Sequence, residues 1–127
     1  MLINNTLIKQ ACLHLDKQIG KNWENKINLK TLDIAHSTKC IIGQLFNNYI
    51  KGLLQLKLHF NKKYTHLLPA FAYSRNSSTK AWRKEIKKER KKEWDNILTM
   101  LVLFFKYAKN LHSLLHLSYH NTYSIYL

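Results

Sequence analysis

The stretch whose reading decides the fold is Ser78–Glu93, STKAWRKEIKKERKKE, together with the apolar run DNILTMLVLFF that follows it as far as Phe105. Neither proline nor glycine occurs between Ser78 and Leu127, so nothing in the backbone chemistry forces a stop. Ser77 or Ser78 supplies an oxygen suited to cap a first helical turn. Trp82, Ile86, Arg90 and Trp94 recur every four residues, and the stripe continues through Ile97/Leu98, Leu101, Phe105 and Ala108. That spacing predicts one long helix near 78–109, basic at its start and apolar at its end, whose dry side completes a small domain. Glu85 and Lys88 are placed to pair across one turn, as are Glu89 and Lys92, while Glu89 and Glu93 oppose them.

Residues 83–92 hold seven Lys/Arg and two Glu. Arg83, Lys84, Lys87, Lys88, Arg90, Lys91 and Lys92 therefore form the candidate surface for an anionic macromolecule, either nucleic acid or an acidic protein. A solvated helix face explains the same residues without any ligand. The whole chain points the same way: 21 Lys+Arg against 7 Asp+Glu give a formal charge of +14, which favours association with phosphate or acidic surfaces. Frequent Asn and Lys with scarce Ala, Gly and Pro also match drift towards A/T-rich codons, which accounts for part of the lysine content. A hydrophobic fraction of 46% gives the chain enough apolar mass to fold, and 127 residues make one modest core.

Working back towards the N-terminus, residues 61–76 contain the sole proline. Pro69 favours extended backbone at Leu68, and the segment reads as an ordered connection bringing Phe71 and Tyr73 to the core. Leu54, Leu56, Leu58 and Phe60 alternate with polar residues, so 54–60 reads either as a short strand or as a helix end running into a loop. Ser37 or Thr38 caps a helix with Ile41/Ile42, Leu45, Tyr49 and Leu53 on one side. Gly43 and Gly52 lie in or at the end of it, where another backbone approaches closely. Residues 4–19 predict a first helix through Ile8, Ala11/Cys12, Leu15 and Ile19, stopped by Gly20. Between these two helices, residues 23–34 follow no long period and predict a packed loop with a turn near 29–33, pinned by Trp23.

The fold class is thus mainly α, with a single small helical domain over 1–95. Residues 96–127 form an apolar, histidine-containing helical extension, packed on that domain or in an oligomer interface. Ile97–Phe105 would span about 14 Å as helix against a bilayer core of about 30 Å, so membrane insertion is disfavoured and membrane attachment is a third class of reading. Cys12 and Cys40 form no CxxC pair and read as buried free thiols. With no signal-like start, they point to a cytoplasmic protein.

No constellation assembles a catalytic set. His36 precedes Cys40 by four residues and His14 follows Cys12 by two, but no oxyanion donor or orienting group goes with either. His112, His116 and His120 recur every four residues and are the only metal candidates. The glutamate of an HExxH site is absent and no Asp or Glu follows Asp95, so neither metal nor cofactor is expected. A non-enzymatic binding protein is the leading expectation, and a self-associating assembly protein is the second.

Trp23, Leu32-Asp33, Cys40-Ile41-Ile42-Gly43-Gln44-Leu45-Phe46, Tyr49 and Gly52-Leu53 together resemble small uncharacterised bacteriophage proteins built around a Cys-x-(Leu/Ile)-Gly-Gln-Leu core. Ala70-Phe71-Ala72-Tyr73 stands where that group has a glycine-aromatic segment, with Ala70 departing from the glycine. Thr79-Lys80-Ala81-Trp82-Arg83-Lys84-Glu85-Ile86 stands where it has a Thr/Ala-Trp-Arg helix. The likeness covers residues 8–90 and leaves out the tail. It implies an accessory phage protein and a structural core of Trp23, Cys40, Gly43, Gln44, Leu45, Tyr49, Gly52 and Trp82; antagonism of host defence is a role that fits a small, positively charged phage product. Gln44, near the apolar stripe, needs hydrogen-bond partners, and the backbone of the 23–34 loop is the nearest source.

Overall fold

The computed structural model describes residues 5–71 and 77–125, with the side chains of 78–119 in the last segment. The described residues are mainly helical and contain no strand. The chain divides into two compact units, Met1–Arg90 and Lys91–Leu127.

In the first unit, α1 (Asn5–Ile19) buries Ile8, Ala11, Cys12, His14 and Leu15 on one side. It stops at Gly20, whose φ of 83° is left-handed and whose N–H donates to the Asp16 carbonyl. His14 sits in the core because its Nε2–H donates to the Leu56 carbonyl at 2.7 Å, which fixes the tautomer, and its ring packs on Tyr64. A 3₁₀ turn, Trp23–Lys26, follows. Its indole is 2% exposed and donates to Asp16 Oδ1 at 2.8 Å, so Trp23 ties the loop back to α1. A further turn covers 29–31.

Instead of one helix from Ser37 or Thr38, the structure has α2 (Ile41–Phe46) and α3 (Tyr49–Gln55). Cys40 caps α2, its Sγ accepting from Gly43 N at 3.2 Å. The break comes from two asparagines: Asn47 takes a left-handed φ of 56°, and the side chain of Asn48 caps α3 by accepting from Lys51 N at 2.9 Å. A Cβ at Gly43 would fall on the Ser37 carbonyl and Thr38 backbone, and one at Gly52 would fall on Ile42 and Phe46. Both glycines therefore permit close approach.

The strand reading of 54–60 is corrected. Lys57 is left-handed (φ 57°), Leu58 N donates to Leu53 O and Lys57 N to Leu54 O, which is a Schellman ending of α3. The reversal buries Leu56 and Leu58 completely while Leu54 and Phe60 stay exposed, so the alternation reflects a helix end rather than a pleat. Leu68 is also helical (φ −48°, ψ −44°) rather than extended. It opens the single turn α4 (Leu68–Phe71), where the missing N–H of Pro69 falls among donors that a first turn leaves unused. Phe71 is buried; Ala72 and Tyr73 lie outside the described residues.

The last element, α5, runs Ser77–Ile125, so Ser77 and Ser78, the expected caps, are both within the helix. Its first turns complete the core of the first unit. Trp82 and Ile86 are fully buried, and Trp82 Nε1 donates to the Ala70 carbonyl at 2.7 Å. The Trp82 ring meets Trp23 edge-on and stacks obliquely on Phe71.

In the second unit the expected dry stripe is absent. Every described side chain from Trp94 to Tyr119 is exposed, Trp94 itself by 63%.

Candidate anionic-ligand interface

Seen down α5 at 100° per residue, Trp82 and Ile86 face the core, while Lys80, Lys84, Lys87 and Lys88 lie opposite within an arc of about 100°. All four lysines are exposed. The glutamates Glu85 and Glu89 lie to the side of this row, and Lys88 Nζ reaches Glu85 Oε1 at 3.6 Å. Lys91 and Lys92 are exposed residues of the second unit.

The two arginines behave differently. Arg83 Nη2 donates to the Leu32 carbonyl at 2.8 Å. Arg90 donates through Nε and Nη2 to the Glu24 carbonyl and through Nη2 to the Ile27 carbonyl. Arg90 is therefore a half-buried clamp on the 3₁₀ turn after Trp23. Its planar fork reaches both carbonyls with donors fixed in one plane, a rigidity that the single ammonium of a lysine lacks.

Arg83 has a second setting. Together with Lys30, Lys39 and Lys80 it lines a cleft of about 810 Å³ between the 30–39 loop and the start of α5. Asp33 is the one carboxylate in that lining, and its Oδ1 already accepts from Ala35 N at 3.0 Å. Thr79, also in the wall, accepts from Ile34 N at 3.0 Å through its hydroxyl. Thr79 and Arg83 thus stitch the helix to the loop one turn apart, which fixes the width of the cleft. Arg83 Nε is buried with no hydrogen-bond partner among the described residues, so the guanidinium is held in the wall below its bonding capacity.

The residues of the Cys-x-Ile-Gly-Gln-Leu segment hold in place the loop that forms the other wall. Gln44 Oε1 accepts from Asn28 N at 2.6 Å, and its Nε2 donates to the carbonyls of Asn28 (3.3 Å) and Lys39 (2.8 Å). One half-buried amide therefore ties together both ends of the loop that carries Lys30 and Lys39. Gly43 lets Ser37 and Thr38 pack onto α2, and Cys40 caps it. Leu45 and Tyr49 are half-buried against the core, and Trp23, Gly52 and Trp82 lie within it.

Burial pushes the Cys40 thiol above its ordinary value, with the nearby Asp33 charge adding to the rise and backbone N–H groups opposing it. A thiol held protonated is a poor nucleophile. His36 does not serve it either: its Nδ1 accepts from Thr38 N at 3.3 Å. The rings of His112 and His116 are 6.4 Å apart, and the side chain of His120 lies outside the described ones. Among the described residues no group of three metal-ligating side chains occurs, and no helix is long and apolar enough to cross a membrane.

Sequence reasoning missed Lys30, Lys39 and Lys80, because only the fold brings the loop to the helix. The roles of the arginines had a signal: Arg83, Ile86 and Arg90 share the 3–4 spacing of the buried side. No protein-family model, curated protein or solved structure matches the chain.

Proposed function

We propose that the chain is a binding module for an anionic macromolecule, nucleic acid in the first place, engaged through the cleft at Lys30, Lys39, Lys80 and Arg83 and the adjoining Lys84, Lys87 and Lys88. The observation that carries this reading is the imbalance at the cleft: four cations face one carboxylate that is already hydrogen-bonded. Among the described residues Lys30, Lys39 and Lys80 form no ion pair, so their charge is uncompensated at the surface. Phosphate is the anion such a row meets best, since each contact releases counterions from the polymer. The likeness to phage proteins supports an accessory role in the host cytoplasm, with host-defence antagonism among the roles it would serve.

Titrating duplex and single-stranded DNA and RNA at two salt concentrations tests it. Binding should weaken steeply as salt rises. Combining Lys30→Ala, Lys39→Ala and Lys80→Ala should lower affinity and reduce the slope of log affinity against log salt by about 2 to 3 on duplex DNA, at about 0.9 per lost phosphate contact. Undetectable binding to all four polymers at low salt removes nucleic acid, leaving an acidic protein as ligand of the same surface.

A further inference from the structure

The C-terminal segment presents a physical problem of its own. From Trp94 to Tyr119 it is helix, and its apolar side chains are exposed: Ile97 by 41%, Leu101 and Leu111 by 46%, Phe104 and Leu115 by 64%. An apolar surface much beyond a few hundred Å² is not left open to water in a stable monomer. We propose that this segment is covered by the same segment of a second copy, in an antiparallel helix pair.

The pattern of residues carries the proposal. Trp94, Ile97, Leu101, Phe104, Ala108, Leu111, Leu115 and Ser118 are separated alternately by three and four, which is the seam of a paired helix. Beyond Phe105 the residues Lys106, Lys109, Asn110, His112, Ser113 and His116 fall outside that seam, and Ser118 at its end is its one polar member.

The order of sizes along the seam sets the direction. In an antiparallel pair centred beside Lys106, Trp94 faces Ser118, Ile97 faces Leu115, Leu101 faces Leu111, and Phe104 faces Ala108. Each large aromatic then meets a small side chain, the large-to-small layering that fills a helix interface without voids. A parallel pair would set Trp94 on Trp94 and Phe104 on Phe104, and leave Ala108 opposite Ala108. That arrangement alternates overfilled and empty layers. It would also align Lys91 and Lys92 of both copies, whereas the antiparallel pair keeps these like charges apart.

The area is sufficient. At their present exposure Trp94 and Phe104 each offer about 100–150 Å², and each aliphatic seam residue about 50 Å². Over two copies, with flanking Leu98, Phe105 and Leu114, the sum passes roughly 1,000 Å², the size of a specific interface.

Sedimentation velocity of the full chain over a wide concentration range should show a dimer. Leu101→Glu, at a position exposed in the single chain, should raise the dissociation constant by roughly a hundredfold or more while leaving the circular dichroism of the folded unit in place. Under mild oxidation the double variant Ile97→Cys/Leu115→Cys should form an interchain disulfide that neither single variant forms. A monomer at every concentration overturns the proposal, as does partition into phospholipid vesicles by a chain that does not dimerise. Cross-linking by Ile97→Cys alone as efficient as by the double variant overturns the antiparallel direction.

Discussion

At the scale of single residues, the distinction that matters is between the two basic side chains. Arg83 and Arg90 turn inward to carbonyls that the irregular 23–34 loop cannot satisfy by itself, whereas Lys80, Lys84, Lys87 and Lys88 stay in water. Cys40 illustrates how a neutral group is selected: its sulfur accepts from Gly43 N and its thiol donates to the Ser37 carbonyl at 3.5 Å. Because burial raises its pKa above the ordinary value near 9.0, the folded chain keeps a proton that the unfolded chain releases at lower pH. Stability is therefore unaffected by this group below about pH 9 and falls as pH rises from there through the folded pKa. Urea unfolding at successive pH values should show the native chain losing stability above that point relative to Cys40→Ser, which retains a cap and does not titrate there.

At the scale of elements, the glycines and asparagines decide the path of the chain. Gly43 admits backbone and Gly52 admits side chains, so their replacement should differ in cost. Gly43→Ala should destabilise by about 3 kcal/mol or more, since the Ser37–Thr38 backbone has to move. Gly52→Ala should cost about 1–2 kcal/mol, because alanine's better helix propensity offsets part of the overpacking at Ile42 and Phe46. Thermal or urea unfolding measures both. The close-packed glycines were legible, because a mid-helix glycine is unfavourable unless something touches it. The break at Asn47 was not, because the apolar spacing runs on across it and only the asparagine pair marks the left-handed turn. The period-two run at 54–60 allowed two readings, of which the helix end holds, for a related reason: a left-handed residue after a helix reverses facing just as a pleat does.

At the scale of the whole molecule, the helical class and the long last helix could be read from periodicity and the lack of breakers. What periodicity could not supply was which side of that helix is covered. Up to Arg90 the stripe of Trp82 and Ile86 is buried as its spacing predicts. Beyond it the same spacing persists while the side chains stand open. A sequence pattern records that a face is meant to be dry; it does not record what dries it. The cleft was illegible for a different reason, since Lys30 and Lys80 become neighbours only through the folding of α2 and the clamp of Gln44.

The distribution of the indoles has an optical consequence. Trp23 and Trp82 are sealed at 2% and 0% exposure, while Trp94 stands open at one end of the seam. In dilute solution a collisional quencher such as acrylamide should reach Trp94 alone, and the quenched component should emit to the red of the protected pair. Concentrating the protein should shield that fluorophore and shift its emission to the blue, so the chain carries a built-in dye for its own association.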